Sequence, residues 1–239
     1  MKYFSINSSL NPKVLGHYTQ VKEIVYNCHV WDEPKFIEHS HFKKIDFEPI
    51  TANAVLHSKS IITDLISVTG MGFTNKLLLS GKLKNCILEK RNHGLQFFSS
   101  NLIQKNEEIK DYWLLNSFEI DMKFIDIEKS NFVWRKRKID GGTYLSEIKF
   151  NSLDDFLKKI DEENLDGKLY LNKIKIKDEV KEDFFTLLYV EGGVKYIVSE
   201  KFKKEIEIAG FTGIEFQPIE LTTNEWLQGG EREKVYGKV

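Results

Sequence analysis

The residues best suited to chemistry lie near the start of the chain, between Cys28 and His41. His39 and His41 stand two positions apart, next to Glu38. Alternate residues of a β-strand face the same side, so these two histidines could share a metal ion. No third ligand follows at a spacing typical of a metal site. The pattern therefore favours a polar strand that faces solvent.

Cys28 and His29 offer a second kind of chemistry, a thiol nucleophile with an imidazole base. Because they are sequence neighbours, on a strand they would point to opposite faces and could not easily form a pair. We predict no catalytic pair here. A small metal-dependent enzyme centred on Cys28, His29, His39 and His41 stays open as an alternative function.

A basic run could bind nucleic acid. Trp134 precedes Arg135-Lys136-Arg137-Lys138, and an aromatic ring can stack on a base while the cations contact phosphates. The end of a solvated hairpin gives the same pattern. The formal net charge of −1 and the pI of about 6.6 provide no overall positive field. We therefore favour the hairpin, with nucleic-acid binding as an alternative function.

The stretch from Asp154 to Asp166 is acidic. Six carboxylates against two lysines give it a net charge of −4; they belong to Asp154, Asp155, Asp161, Glu162, Glu163 and Asp166, and the lysines are Lys158 and Lys159. Such a surface can be an ordinary solvated helix face. It can also dock on the basic cleft of a nucleic-acid-processing enzyme.

Common catalytic and cofactor motifs are missing from the sequence. It contains no Gly-x-x-x-x-Gly-Lys, no Gly-x-Gly-x-x-Gly, no His-Glu-x-x-His and no Cys-x-x-Cys. This moves the expectation from catalysis toward binding: not an enzyme, with no catalytic residue, no cofactor and no metal. Two isolated cysteines suit a reducing compartment, and no apolar run approaches the length of a membrane helix. We therefore expect a cytoplasmic protein with no membrane partner.

The elements that must position all these residues follow an internal repeat. Residues 64–98 and 183–217 align without a gap at an offset of 119 positions, since 183 − 64 = 119. Matched columns include Asp64 with Asp183, Lys76 with Lys195, and Ser80 with Ser199. Such self-similarity usually means that one supersecondary unit is used twice.

Each copy predicts a strand, a capped helix and a second strand. A short apolar run precedes Ser80 and Ser199, and apolar residues three and four apart follow. Both serines are predicted to be helix N-caps. Ser152, with Asp155 three positions on, predicts another capped helix.

The predicted fold class is α+β and strand-rich, with two related strand-helix-strand lobes and about four short helices. Gly141-Gly142 suggests a hinge between the copies. We accordingly predict an N-terminal lobe over 1–140 and a C-terminal lobe over 141–239, which could also form one continuous domain.

The repeated segments also carry a family resemblance. The stretches Ile62 to Phe98, Phe124 to Phe132 and Tyr196 to Phe216 resemble immunity protein family eleven of bacterial polymorphic toxin systems. The shared features are a Thr-Asp pair ahead of a strand-to-helix step, an Ile-Asp-x-x-x-Ser element and a closing strand-helix-turn unit. Gly81 departs from the family, which has an acidic residue there.

The resemblance implies a non-catalytic inhibitor that neutralises a cognate toxin in a tight stoichiometric complex. It also implies that an adjacent gene encodes this toxin. Binding specificity is expected in the segments that do not match the family. The candidate partner-binding residues are therefore Trp31, Asp154, Asp155, Asp161, Glu162 and Glu163.

Overall fold

The computed structural model describes residues 1–68, 70–162 and 167–238. The predicted α+β, strand-rich fold class is confirmed. The described strands are β1 (Tyr3–Ser8), β2 (Val21–Tyr26), β3 (Ala52–Leu56), β4 (Leu65–Ile66), β5 (Leu77–Ser80), β6 (Leu95–Ser99), β7 (Leu102–Gln104), β8 (Glu107–Ile109), β9 (Tyr112–Ser117), β10 (Asn131–Arg137), β11 (Thr143–Ile148), β12 (Lys168–Lys173), β13 (Phe184–Val190), β14 (Gly193–Ser199) and β15 (Ile214–Pro218).

The described residues form six α-helices instead of the predicted four or so. They are α1 (Pro12–Leu15), α2 (Gly81–Lys90), α3 (Leu153–Asp161), α4 (Glu200–Ile208), α5 (Thr223–Leu227) and α6 (Glu231–Tyr236). The helices that the pattern missed have four to six residues. One turn and a half is too short to show a 3.6-residue period.

The largest sheet has seven strands in the order β11-β10-β12-β13-β14-β1-β15. All neighbours are antiparallel except β12 and β13. The predicted boundary between 1–140 and 141–239 lies in the turn between β10 and β11. Strands from both sides of that boundary share this sheet.

Two smaller sheets complete the fold, with the orders β4-β5-β9-β6 and β2-β3-β7-β8. One apolar core lies between the last of these and the β4-β5-β9-β6 sheet. A second core lies between the β4-β5-β9-β6 sheet and the seven-stranded sheet. A third covers the far face of the seven-stranded sheet, where α3 packs.

The two repeated segments have the same order of elements. Residues 64–98 hold β4, β5, α2 and β6, and residues 183–217 hold β13, β14, α4 and β15. In each sheet a strand from outside the segment separates the last two strands: β9 lies between β5 and β6, and β1 between β14 and β15. Shared element order does not establish a common origin, so duplication of one unit stays a prediction.

The serine at the start of each helix explains why the helix begins there. The Ser80 hydroxyl oxygen accepts from Leu83 N–H at 3.2 Å and donates to Asp64 Oδ1 at 2.7 Å. Ser199 accepts from Phe202 N–H at 3.1 Å and donates to Asp183. Ser152 likewise accepts from Asp155 N–H at 3.1 Å. Each bond satisfies an amide that the helix itself leaves free.

The turn after each helix holds the first strand of the other segment. After α2, the Arg91 guanidinium donates to Asp121 at 2.6 Å and to the Phe184 carbonyl at 3.4 Å. After α4, Thr212 N–H donates to Asp64 Oδ2 at 2.9 Å, and its carbonyl accepts from Leu65 N–H at 3.2 Å. The two segments are thus fixed against each other from both directions.

Both helices point their apolar faces into the core that the two segments share. Leu83 and Ile87 come from α2, and Phe202 and Ile206 from α4. All four are at most 1% exposed. Burial of side chains of this size contributes about 1.5–3 kcal/mol each. No helix in the described ranges has the length and apolar character needed to cross a membrane.

Replacing Ser199, which is fully buried, should destabilise the protein more than replacing Ser152, which is half-buried. Ser199→Ala removes the cap of α4 and the donor to Asp183, so we expect a loss of about 1–2 kcal/mol in the free energy of unfolding. Ser152→Ala removes a cap bond at the surface and should cost less. Urea unfolding measures both, and equal losses would contradict the role of Asp183.

Gly213 and Gly210 form a matched pair that tests the contact between the segments. Both have positive φ, 80° and 73°, where an L side chain costs about 1–2 kcal/mol. A Cβ on Gly213 would lie 2.3 Å from the Leu65 carbonyl oxygen, whereas a Cβ on Gly210 meets nothing within 4 Å. We expect Gly213→Ala to lower the free energy of unfolding by about 1–3 kcal/mol more than Gly210→Ala. Similar urea midpoints for the two variants would contradict this close approach.

Candidate interaction surface

The predicted partner-binding residues of α3 lie at one end of the seven-stranded sheet. We call this end, formed by β10, β11, β12 and α3, the hairpin end. Phe156 anchors α3 there, with its ring 4.8 Å from that of Phe132 on β10. The opposite side of the helix faces solvent and exposes Asp154, Asp155, Asp161 and Glu162. Glu163 and Asp166 lie outside the described residues.

The carboxylates of α3 also suit the helix locally. Asp154 and Asp155 occupy its first turn, and Lys158 and Lys159 its last. Negative charge near a helix N-terminus and positive charge near its C-terminus are both favourable. Local stability therefore accounts for part of this charge pattern, since Glu162 at the C-terminal end pairs with Lys159, but it does not account for Asp161.

The basic run lies on β10, in the hairpin that it forms with β11. Arg135 and Arg137 are exposed on one face of the sheet. Lys136 points to the other face, where its ammonium lies 4.1 Å from the centre of the Trp134 ring, and that of Lys159 lies 5.3 Å away. Because two cations of the chain already lie over this ring, Trp134 is not presented as a free stacking platform for a base.

An open groove of about 800 Å³ runs along the hairpin end. Its polar and aromatic wall includes Arg135, Lys168, Tyr170, Tyr189, Phe42 and Asn75. The Arg135 guanidinium lies 5.5 Å from the Tyr170 ring and donates to its hydroxyl at 3.3 Å. Arginine and tyrosine are enriched among the residues that dominate binding energy at protein interfaces.

Three residues of the groove wall have a left-handed backbone. Phe42, Tyr189 and Asn75 have φ values of 54°, 54° and 58°. Asparagine tolerates this region, but for a bulky aromatic residue it is an outlier. Tyr189 occupies a bulge, where the pairing of β13 with β14 shifts between Leu188 and Val190. The bulge fixes where this ring stands, edge-on to Phe156 at 6.3 Å.

Trp31, the remaining predicted contact residue, lies in the turn after Cys28 and His29. Its side chain is 72% exposed, and it is not among the described residues that line the groove. A large exposed indole is available for contact, but the structure does not bring it together with the carboxylates of α3.

The residues proposed for the alternative metal site do not share a ligand position, and each contacts a different partner. Residues 37–39 form a 3₁₀ turn, so His39 and His41 do not alternate along a strand as expected. His29 Nδ1 lies 2.8 Å from Asp32, and His39 Nε2 lies 2.9 Å from the Val30 carbonyl. Within residues 1–68, 70–162 and 167–238, no group of three His, Cys, Asp or Glu side chains is placed to hold a metal ion.

Glu38 belongs instead to a buried ion pair that the sequence did not reveal. The Lys76 ammonium lies 3.5 Å from Glu38, and its side chain is 3% exposed. Burial lowers the pKa of Lys76, while Glu38 acts in the opposite direction. His41 lies 4.0 Å from the same carboxylate, and burial together with Lys76 lowers its pKa. These groups stabilise a packed loop and do not line the groove of the hairpin end.

Sequence reasoning found the acidic and basic parts of the hairpin end but missed the groove between them. Tyr189 and Phe42 belong to no recognisable sequence motif. They line the same groove only because β13 and the segment before β3 lie close together in the folded chain. The Tyr189-Val190-Glu191-Gly192-Gly193 run could have indicated an irregular turn, since paired glycines mark such turns.

Comparison with known proteins adds no family assignment. No family model matches the chain, and no curated protein matches it. The resemblance to immunity protein family eleven therefore depends on the residues quoted above and stays a prediction.

The left-handed backbone at Tyr189 can be tested with two substitutions of the same residue. Tyr189→Gly and Tyr189→Ala both remove the ring, but only alanine keeps a Cβ at positive φ. Glycine in a strand is ordinarily less stable than alanine by about 0.5–1 kcal/mol. Here we expect the glycine variant to be the more stable by about 1–2 kcal/mol. Urea unfolding of the two variants measures which is the more stable. If the alanine variant is the more stable, as in an ordinary strand, the backbone at Tyr189 is not strained.

Proposed function

We propose that this chain is an immunity protein that binds a cognate bacterial toxin in a tight one-to-one complex and blocks its activity. Its partner would be the product of an adjacent gene. The observation that carries the proposal is the open groove of the hairpin end, with aromatic and arginine side chains in its wall and an acidic helix beside it. The family resemblance of the repeated segments supports the same function.

The groove has the composition expected of the energetic centre of an interface. Tyr189, Phe42 and Arg135 present large, partly apolar surfaces that a partner could bury. The bulge at Tyr189 and the hydrogen bond between Arg135 and Tyr170 hold these groups before binding. A wall that is already ordered loses less conformational freedom on association, which leaves more of the contact energy as affinity.

The charge of α3 suggests which toxin chemistry the chain would oppose. An enzyme that cleaves or modifies nucleic acid needs a basic cleft to bind phosphates. The exposed carboxylates of Asp154, Asp155, Asp161 and Glu162 complement such a cleft and would attract it over several ångströms. Charges of this kind mainly speed association and select the partner, while buried anchors set the lifetime of the complex.

Co-expression with the adjacent gene's product tests the proposal. We expect the two chains to co-purify at a one-to-one ratio and the chain to restore growth of cells that make the toxin. If the neighbouring product is toxic but neither binds this chain nor loses its toxicity in the chain's presence, the proposal is wrong.

Reversal of charge on α3 should slow association with the toxin. We expect Asp154→Lys with Asp155→Lys to reduce the association rate about tenfold at low ionic strength, with little change in the dissociation rate. Glu107→Lys with Glu108→Lys is the matched control, because it makes the same charge change on β8, in another sheet. Stopped-flow or surface plasmon resonance at two salt concentrations separates the rates. Equal effects of the two pairs would exclude α3 as the steering surface.

A further inference from the structure

The two edge strands of the seven-stranded sheet, β15 and β11, differ in how far other parts of the chain cover them. At one edge, the Tyr236 hydroxyl of α6 accepts a hydrogen bond from the Phe216 amide of β15 at 2.8 Å. Pro218 ends that strand and has no amide to offer. At the other edge lies β11, and no described strand lies beyond it. Open edges are ordinarily blunted, because their free backbone groups can pair with another chain.

Apart from the single charge of Glu147, β11 lacks the features that usually prevent such pairing. It has six residues, contains no proline, and pairs with β10 without a shift in register. The edge strand β2 differs, since its register shifts between Val21 and Glu23, and a bulge of this kind discourages pairing. Another edge strand, β6, has its Gln96 side chain engaged in two hydrogen bonds with the backbone of Ile45.

The hairpin also concentrates exposed apolar side chains. Ile139 at its tip is fully exposed, Leu145 is 54% exposed and Tyr144 is 45% exposed. Tyr144 and Leu145 are neighbours on β11 and point to opposite faces, so exposed apolar surface borders this edge on both sides of the sheet.

The register identifies which backbone groups of β11 point outward. Lys138 N–H donates to the Gly142 carbonyl at 3.1 Å, so these two residues form a hydrogen-bonded pair. Hydrogen-bonded and non-hydrogen-bonded pairs alternate along an antiparallel ladder. The N–H and C=O groups of Thr143, Leu145 and Glu147 therefore face away from β10, toward any strand added at this edge.

The charge beside this edge indicates what kind of strand would fit. Arg137 lies opposite Thr143 and Arg135 opposite Leu145, while Lys168 lies opposite Arg135 on β12. These three cations share one face of the sheet with a single carboxylate of β11, that of Glu147. An added strand would carry every second side chain on this face, and acidic side chains there would be attracted to the cations.

We infer that β11 is a strand-addition site that binds an extended segment of the toxin with acidic residues at alternate positions. This inference rests on the proposed function for the identity of the partner. The main-chain bonds would supply affinity, and the arginine face would select the acidic segment. With α3 attracting a basic cleft beside it, the two opposite charges would fix the orientation of the complex.

A synthetic peptide tests the site without the toxin. The probe is a capped, fluorescein-labelled heptapeptide of alternating valine and glutamate, followed by fluorescence polarisation with the full chain. We expect saturable binding, and no binding when lysine replaces glutamate in the peptide. Absence of saturable binding by the valine-glutamate peptide would overturn the inference.

Proline at Leu145 removes the outward N–H without removing a ladder bond to β10. We expect Leu145→Pro to weaken peptide binding about tenfold and the matched Leu145→Ala to weaken it less than about threefold. A peptide N-methylated at every residue blocks strand pairing without altering the protein, and it should not bind even if Leu145→Pro folds poorly. Equal binding of the methylated and unmethylated peptides would overturn strand addition.

Three further outcomes separate this inference from competing ones. If the chain alone is a dimer that Leu145→Pro dissociates, the edge serves a second copy of the chain and the inference is wrong. If the adjacent gene's product binds wild type and Leu145→Pro equally, strand addition fails while the immunity function stands. If that product does not bind wild type but the peptide does, the immunity function fails while the edge site stands.

Discussion

The fold depends on the apolar core that the two repeated segments share between their sheets. Phe202 and Ile206 of α4 enter this core from the seven-stranded sheet, and Leu83 and Ile87 of α2 enter it from the opposite sheet. The contacts of Arg91 with Phe184 and of Thr212 with Asp64 hold the two halves in register. Because the central strands are clamped in this way, the hairpin end extends from a rigid base.

That rigidity shapes how the candidate surface could work. α3 covers one face of β10 and leaves Arg135 exposed on the other, and Ile160 of α3 lines the groove itself. Most charged groups of the surface stand on regular elements, whereas Phe42, Asn75, Gly167 and Gly192 of the groove come from loops. A partner would meet a surface already close to its bound shape, so affinity would not be spent on ordering the chain.

Much of the fold could be predicted from the sequence, because helix caps and hairpin ends are encoded by residues that are close together in the chain. The cap serines Ser80, Ser152 and Ser199 each precede an apolar stripe of helical period, and all three begin helices. The basic run at Arg135 was correctly interpreted as the end of a hairpin. The short helices α5 and α6 were missed because so few residues carry no measurable period.

The candidate site was less predictable, because it depends on contacts between distant segments. Trp134 beside basic residues suggested base stacking, but Lys159 from α3 lies over the ring, and no local pattern encodes that approach. His39 and His41 suggested a shared metal, whereas His39 ends a 3₁₀ turn and His41 lies beyond it, so the two do not alternate along a strand. Tyr189 has a left-handed backbone that only the bulge explains. Strand order decides which strand is an edge, and the sequence of β11 by itself could equally belong to the interior of a sheet.

The contact between Tyr236 and Phe216 has a consequence for the edge of the sheet that β15 forms. With α6 in place, the Phe216 amide already has a partner, so β15 is less open to an added strand than β11. A chain shortened before Tyr236 would expose a second end on the same sheet. Head-to-tail joining of the two ends would give a ring if the rotation between copies closes and a filament if it does not. The last turn of α6 thus protects one edge of the seven-stranded sheet from pairing with another chain.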